Sequence, residues 1–93
     1  MAVLVAEYRV KDFAAFRDVF DSFGATRVER GATGHRLLRS TDDPDVVTVV
    51  MEFPSTGAAR AFAADPERLQ ALDRAGVIER ADEVMEEVDA ATY

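Results

Sequence analysis

The chain has 93 residues, no cysteine, 48% hydrophobic and 31% charged residues, and a formal net charge of −7. A chain of this length has room for one hydrophobic core, and small domains without disulfides often gain further burial by oligomerisation. The acidic balance argues against nucleic acid and anionic membrane surfaces as partners, because both attract positively charged proteins. We therefore expect a single domain over residues 1–93 that forms a dimer.

Metal sites and membrane segments are not indicated by the sequence. His35 is the only histidine, and thiolate or histidine-rich metal sites need several such ligands. No spaced acidic loop predicts a site for a hard cation, so we expect no metal. No segment approaches the roughly 18 apolar residues that span a membrane, and Glu7 and Arg9 interrupt the first apolar segment too early for a signal peptide. We therefore expect a cytoplasmic protein.

The N-terminal third predicts a strand followed by a long helix. Ala2–Val10 is rich in apolar and β-branched residues, which is typical of a central strand. Asp12 is a good N-cap, and Gly31 is suited to end the helix after about Arg30. The buried stripe of this helix is predicted to consist of four phenylalanines spaced three, four and three residues apart: Phe13, Phe16, Phe20 and Phe23.

Three further strands are predicted. Thr33–Ser40 and Val46–Phe53 are separated by a segment of aspartates and a proline, whose composition is typical of a turn, so they should form a hairpin. The last strand is predicted at the edge of the sheet over residues 77–89, where apolar residues are interspersed with acids.

A second helix is predicted between the hairpin and the last strand. It extends over Ser55–Ala64, with the serine as its cap, and restarts at residues 65–67, where a capping aspartate precedes a proline. Leu69 and Leu72 are expected to carry the buried stripe of the second part, and Gly76 is expected to end it.

The element order β-α-β-β-α-β predicts an α+β, ferredoxin-like fold, in which a four-stranded antiparallel sheet carries two helices on one face. Alternate residues of the third strand within 47–53 are all apolar and should face the helices. The opposite set, within 46–52, is half apolar, and Val3 and Val5 adjoin it. A monomer would expose this patch, so we expect a homodimer that forms by packing of the two sheets.

Charge is unevenly distributed along the chain. Residues 1–41 carry seven bases and five acids, whereas residues 42–93 carry four bases and thirteen acids. A solvated acidic face that maintains solubility explains this distribution, since surface charge pairs contribute little stability. The alternative is that the basic second strand of one subunit lies near the acidic fourth strand of the other, which would pair Arg36 and Arg39 with Glu83, Glu86 and Glu87.

Four short motifs carry a resemblance to a known family: Tyr8–Phe13, Gly34–Pro44, Ala59–Phe62 and Ala75–Val77. They are similar to segments of the antibiotic biosynthesis monooxygenase-like superfamily of small dimeric α/β-barrel proteins, particularly its short bacterial members, which are uncharacterised or described loosely as cyclases. The resemblance covers nearly the whole chain. It implies a ferredoxin-like subunit, a homodimer formed through the sheets, and a ligand cavity between sheet and helices that works without metal or organic cofactor.

Three polar residues are candidates for catalysis. If Ser40 pairs with Val46, then His35 and Arg39 share the helix-facing side of the sheet with Tyr8, and the three could line one cavity. Imidazole can accept a proton at neutral pH, phenol can donate a hydrogen bond to a carbonyl, and guanidinium can hold an enolate or carboxylate. The alternative is structural, with a histidine at the surface, a tyrosine in the core and an arginine that pairs with an aspartate of the turn.

Five apolar residues are expected to line the ligand site: Phe16, Phe20, Met51, Phe53 and Phe62. Residues of these types at these spacings also fill a core without any ligand. Two functions therefore remain open. The protein is either a homodimeric domain that binds a small ligand, such as an aromatic molecule, or a cofactor-independent cyclase, isomerase or monooxygenase that acts on an aromatic or polyketide-like substrate. A void between sheet and helices that can hold an aromatic ring would favour the enzyme.

Overall fold

The computed structural model describes residues 1–93. The strands form one antiparallel sheet in the order β2-β3-β1-β4, so that β1 is a central strand. This topology confirms the α+β, ferredoxin-like fold that the element order predicts. The elements in chain order are β1 (Ala2–Val10), α1 (Phe13–Ser22), α2 (Gly24–Glu29), β2 (Gly34–Arg39), β3 (Val46–Phe53), α3 (Thr56–Ala63), α4 (Pro66–Arg74) and β4 (Val77–Glu86).

The first helical region differs from the prediction because it is divided in two. Asp12 caps α1 as expected, and its carboxylate accepts a hydrogen bond of 3.1 Å from the backbone N–H of Ala15. The helix predicted to run unbroken to Arg30 is interrupted at Phe23, where φ is −85° and ψ is 0°. Gly24 follows at once, and its low helix propensity accounts for a break at this point. Gly31, with φ of 102°, ends α2 as predicted.

The second helical region is divided where the sequence predicts. Ser55 caps α3 through a 3.1 Å bond to the N–H of Ala58, and Asp65 caps α4. The predicted buried stripe of α4 is wrong in part, because Leu69 is exposed and Arg68 is buried in its place. The cause is the hydrogen bonding of the Arg68 guanidinium to groups on the sheet, which turns that face of the helix inward. None of the four helical segments is long and apolar enough to cross a membrane.

The hairpin has the register on which the site prediction depends. The N–H of Ser40 donates to the carbonyl of Val46 at 3.0 Å, and His35 lies opposite Met51. The condition for the site prediction is therefore met, and His35 and Arg39 face the helices. The last strand is shorter than predicted and ends at Glu86, because this residue pairs with the first residue of β1 and later residues have no strand beside them.

The core lies between the helices and one face of the sheet. Alternate residues of β1 and of β3 are buried on this face, and α1 and α3 cover them with aromatic and alanine side chains. The buried members of this cluster are Ala2, Leu4, Ala6, Tyr8, Val10, Phe16, Phe20, Val47, Val49, Met51, Phe53, Ala59, Phe62 and Ala75.

The outer face of the sheet carries no helix. Its central valines are half-buried, whereas Leu38 and Met85 are exposed to 50% and 40%. The β1–β3 and β1–β4 registers place Val5 between Val50 and Glu83, and β2 places Arg36 on the other side of Val50. A row with apolar residues at its centre and opposite charges at its two ends therefore crosses this face.

Candidate functional site

Tyr8 belongs to a buried polar network between sheet and α4. Its hydroxyl accepts a 2.8 Å hydrogen bond from Nη2 of Arg68. The same guanidinium donates to both carboxylate oxygens of Asp82 at 3.0 and 2.8 Å, and to the carbonyl of Ala63 at 2.9 Å. Burial raises the pKa of the Tyr8 phenol, and the positive charge of Arg68 offsets part of this effect. Tyr8 therefore stays neutral at physiological pH.

The charges in this network are well matched. Burial by itself lowers the pKa of Arg68, but the interactions with Asp82 and Tyr8 together outweigh it, so that the pKa is raised. Arg80 also donates to Asp82 at 2.7 Å. Arg68 was not predicted as a site residue. It directly precedes Leu69 in the sequence, and an arginine beside a predicted buried leucine is expected to face solvent.

His35 and Arg39 each contact an aromatic ring of α1. The imidazole of His35 meets the ring of Phe20 edge-on, with centroids 5.1 Å apart and an interplanar angle of 78°. The guanidinium carbon of Arg39 lies 4.1 Å from the centroid of the Phe13 ring, and its Nε donates to the carbonyl of Pro44 at 2.9 Å. Both side chains therefore lie on the helix-facing side of β2, but at different positions along the strand.

The three candidate catalytic residues do not line one cavity. Tyr8 faces an interior cavity, His35 lines an open cleft beside α2, and Arg39 lines neither. Four residues of extended strand, or roughly 13 Å, separate His35 from Arg39. The three residues share one face of the sheet, but a shared face does not bring side chains together when α1 packs between them.

The interior cavity is small. Its volume is about 30 Å³, which is enough for a water molecule or two but not for an aromatic ring. Of the five predicted ligand-binding residues, Phe20, Met51 and Phe62 line it. Phe16 stacks on Phe20 with centroids 5.9 Å apart, and Phe53 packs against Phe62 at 5.5 Å, so both belong to the core. The phenylalanines thus fill most of the space between sheet and helices in which a ligand was predicted.

A larger cleft opens between α2 and the start of β2. Its volume is about 320 Å³, at the lower end of the range typical of small-molecule sites. Arg27 lines both this outer cleft and the interior cavity, so its side chain forms the wall between them. The residues that line the outer cleft are Gly24, Arg27, Val28, Ala32, Thr33, Gly34 and His35.

Arg27 is a second candidate site residue that was not predicted from the sequence. Its guanidinium carbon lies 3.8 Å from the centroid of the Phe20 ring, and Nη1 donates to the Phe20 carbonyl at 2.7 Å. Burial lowers the pKa of this guanidinium, and the charge of Asp21 offsets part of the shift. A signal was present in the sequence, because position 27 follows Phe20 by seven residues and would share its face in the continuous helix that was predicted.

The described side chains include no group of three or more His, Asp, Glu or Cys residues arranged to hold a metal ion. The ionisable groups of the outer cleft are one imidazole and one guanidinium, namely His35 and Arg27. Chemically, such a pair can accept a proton and hold an anion.

Several solved structures share this fold over almost the whole chain. The cofactor-independent oxygenase SnoaB from Streptomyces nogalater superposes with a TM-score of 0.80 at 20% identity, covering 96% of this chain and 94% of that chain. A candidate antibiotic biosynthesis monooxygenase from Deinococcus radiodurans gives 0.74 at 19% identity, covering 100% and 98%. Another from Bordetella bronchiseptica gives 0.79 at 17% identity, covering 94% and 96%. At these identities the likeness shows the fold.

Family membership rests on the sequence itself. A comparison with curated proteins found no match. The sequence profile of the antibiotic biosynthesis monooxygenase family, in contrast, matches residues 1–74, which include the first three strands and all of α1 to α4. The chain therefore belongs to the antibiotic biosynthesis monooxygenase family.

Proposed function

We propose that this protein is a homodimeric, cofactor-independent oxygenase that binds a small aromatic substrate in the outer cleft. The observation that carries the proposal is the position of His35, which lines a cleft of about 320 Å³ and rests against the ring of Phe20. Family membership supports the reaction class, since a member of the same fold, SnoaB, is a cofactor-independent oxygenase. The small volume of the interior cavity, about 30 Å³, supports the choice of the outer cleft as the proposed site.

The proposed chemistry begins with removal of a phenolic proton. His35 accepts this proton, because imidazole is a competent base at neutral pH. The resulting phenolate is electron-rich and reduces O₂ directly, so that a C–O bond forms at a ring carbon. The proton returns to the peroxide, and loss of water leaves a quinone. The net reaction, in which a phenol and O₂ give a quinone and water, balances without an added reductant.

The other predicted site residues support the walls of the cleft in this proposal. Tyr8 holds Arg68, Arg39 covers Phe13, and neither touches the substrate. Phe20 is the apolar surface beneath both His35 and Arg27. His35 is therefore the one catalytic candidate of the original three that we retain.

Oxygen uptake with 1-naphthol as substrate tests the proposal. In buffer that contains EDTA, we expect O₂ consumption and 1,4-naphthoquinone formation in a 1:1 ratio. His35→Ala should lower the rate by roughly 100-fold or more, as is typical when a general base is removed. Because His35 is exposed, its replacement should leave the melting temperature nearly unchanged. Arg60→Ala, at an exposed position of α3 away from the cleft and from the outer face of the sheet, is the control.

Non-catalytic binding of a small aromatic ligand is the second candidate function. The packed interior favours it, since no buried space is present in which a reactive anion could be shielded from water. Wild-type protein that binds 1-naphthol but consumes no O₂ would support this function and contradict the oxygenase. An unchanged rate in His35→Ala would contradict the role of the histidine.

The homodimer is proposed to form through the outer face of the sheet. This face has no helix over it, and it exposes Leu38 and Met85 beside a band of half-buried valines. If the two sheets are related by a two-fold axis parallel to the strands, β2 of one subunit lies over β4 of the other. Arg36 would then meet Glu83 of the second copy at both ends of the valine band.

Light scattering at micromolar concentration tests the dimer. We expect a mass of two subunits for the wild type and of one subunit for Val50→Asp, which places a charge at the centre of the outer face. Val88→Asp is the control, because Val88 is fully exposed beyond the end of β4. A dimer that survives in Val50→Asp would contradict this interface. Arg36→Glu should weaken the dimer, and the added change Glu83→Arg should restore it.

A further inference from the structure

The protein has two buried arginines, and their surroundings differ. Arg68 and Arg27 are exposed to 2% and 7%. Arg68 is neutralised by the bidentate carboxylate of Asp82. Arg27 forms no salt bridge, although a buried charge is costly unless it is paired. The acid whose charge affects the pKa of Arg27 is Asp21, and its carboxylate forms a salt bridge of 3.0 Å with Arg17.

The guanidinium of Arg27 is held in place but has free donors. One donor, Nη1, is bonded to the Phe20 carbonyl, and the plane rests on the Phe20 ring. No nitrogen of this side chain is both fully buried and without a hydrogen bond, so Nε and Nη2 retain contact with solvent. Nη2 lies close to Gly24, because a Cβ atom placed on this glycine would be 3.6 Å from Nη2. Gly24 lines the outer cleft, so Nη2 lies beside the cleft.

The outer cleft offers no competing acid. Its lining consists of small or apolar residues apart from Arg27, Thr33 and His35. The nearest carboxylate on β3, that of Glu52, lies beside Gly34 on the outer face of the sheet. An anion in the cleft would therefore meet the positive charge of Arg27, and no carboxylate belongs to the lining. Because the whole protein carries a charge of −7, any preference for anions has to come from this local arrangement.

Arg27 and His35 contact the same aromatic ring. The guanidinium carbon is 3.8 Å and the imidazole centroid 5.1 Å from the Phe20 centroid, so the two groups lie within about 9 Å of each other. One ligand in the outer cleft, which both residues line, could therefore contact both groups. A guanidinium presents a planar fork of donors that matches the two oxygens of a carboxylate.

We propose that the outer cleft binds an aromatic carboxylate, whose carboxylate group is held by the free donors of Arg27 while its ring extends towards His35. The inference deepens the proposed function, on which its choice of cleft rests, by naming the substrate class as hydroxyaryl carboxylates. Binding of the acid requires no turnover. The two proposals can therefore fail separately, since acid binding without O₂ uptake would refute only the oxygenase.

The test compares 2-naphthoate with its neutral counterpart 2-naphthamide by NMR titration of the ¹⁵N-labelled dimer. We expect the dissociation constant of the acid to be at least tenfold lower, with shifts at the amides of Gly24, Thr33 and Gly34. Arg27→Met should remove the preference for the acid. Arg27→Lys, which keeps the charge but loses the fork, should retain part of it. Arg74→Met changes an exposed arginine of α4 and should retain all of it.

Three results would overturn the inference. Equal affinity of the wild type for acid and amide would show that the cleft does not recognise an anion. A preference that persists in Arg27→Met would assign recognition to another group. Shifts confined to residues outside the cleft would place the ligand elsewhere. If Arg27→Met does not fold, the comparison of acid and amide on the wild type and on Arg27→Lys decides the question.

Discussion

Arg68 and Asp82 join α4 to β4 through a bidentate ion pair, with Nη1···Oδ2 and Nη2···Oδ1 distances of 3.0 and 2.8 Å. Asp82 is partly exposed and is also bonded to Arg80, so the pair lies at the border of the core. Tyr8 completes the network from the central strand. The pair therefore attaches the second helical region to the edge strand of the sheet.

Loss of the Arg68 side-chain charge should therefore destabilise the protein. We expect Arg68→Met to lower the free energy of unfolding by about 2 kcal/mol, less than for a fully buried pair because Asp82 retains Arg80 and solvent. Tyr8→Phe removes one hydrogen-bond acceptor and should cost about 1 kcal/mol. Urea denaturation at fixed protein concentration measures both. Arg60→Met, on an exposed position of α3, should change stability by less than about 0.5 kcal/mol, and equal values for Arg60→Met and Arg68→Met would contradict a stabilising pair.

The ionisation of Tyr8 should be shifted to high pH. Burial raises the pKa of its phenol above the ordinary value of 10.0, despite the nearby charge of Arg68. Tyr93 is the only other tyrosine, so Tyr93→Phe leaves a single phenol to follow by absorbance at 295 nm. We expect its transition above pH 10 to coincide with unfolding. A group whose pKa is raised on folding contributes stability below its unfolded pKa and loses it at higher pH. A normal transition in the folded protein would contradict the buried network.

Asp65 should make stability fall at acidic pH. The hydrogen bond from Arg30 at 2.7 Å and the backbone N–H of Glu67 at 2.9 Å hold the pKa of its carboxyl below the ordinary value of 3.8. A carboxyl with a depressed pKa contributes stability above its unfolded pKa, and this contribution disappears as the pH falls through the folded value. The stability advantage of the wild type over Asp65→Asn should therefore be present at about pH 6 and shrink below about pH 4.

Asparagine keeps the capping function, so this comparison isolates the charge. Asp18→Asn, at an exposed position of α1 without a hydrogen bond, is the control in the same denaturation series. An advantage over Asp65→Asn that stays constant from pH 6 to pH 3 would show that the carboxylate has no favourable partner in the folded state.

Two glycine substitutions should have opposite signs. Gly76 has φ of 78°, a conformation that costs about 1 kcal/mol or more with a Cβ, so Gly76→Ala should destabilise the protein. Gly57 lies in the first turn of α3, and a Cβ there would meet only the Oγ of Ser55 at 3.8 Å. Gly57→Ala should stabilise the protein by roughly 0.5 kcal/mol, because alanine has the higher helix propensity. Thermal unfolding by circular dichroism distinguishes the two, and the same sign for both would refute the argument.

The fold could be derived from local patterns because each element has its own signal. Alternation of apolar residues in Val46–Phe53 predicted both the strand and its buried face, and the caps Asp12, Ser55 and Asp65 predicted where three helices begin. These predictions depend on the period of a strand or helix and on residues close in sequence. The face of His35 was left open by the sequence, because a turn one residue different in length would reverse it, and the register of the hairpin in the structure decides it.

The site could not be derived in the same way. Arg27 contacts the ring and the carbonyl of Phe20, seven residues away across the break between α1 and α2. Arg68 bonds to Asp82 and Tyr8, which are 14 and 60 residues away in the sequence. Whether phenylalanines leave a void depends on side-chain packing, which no periodicity states. The sequence alone determined the ferredoxin-like topology and the buried faces of the two central strands, because these follow from local hydrophobic order, and its short motifs indicated the family. Only the tertiary structure decided that one buried arginine has a carboxylate and the other has none, because such pairing depends on how α2 and α4 pack against the sheet.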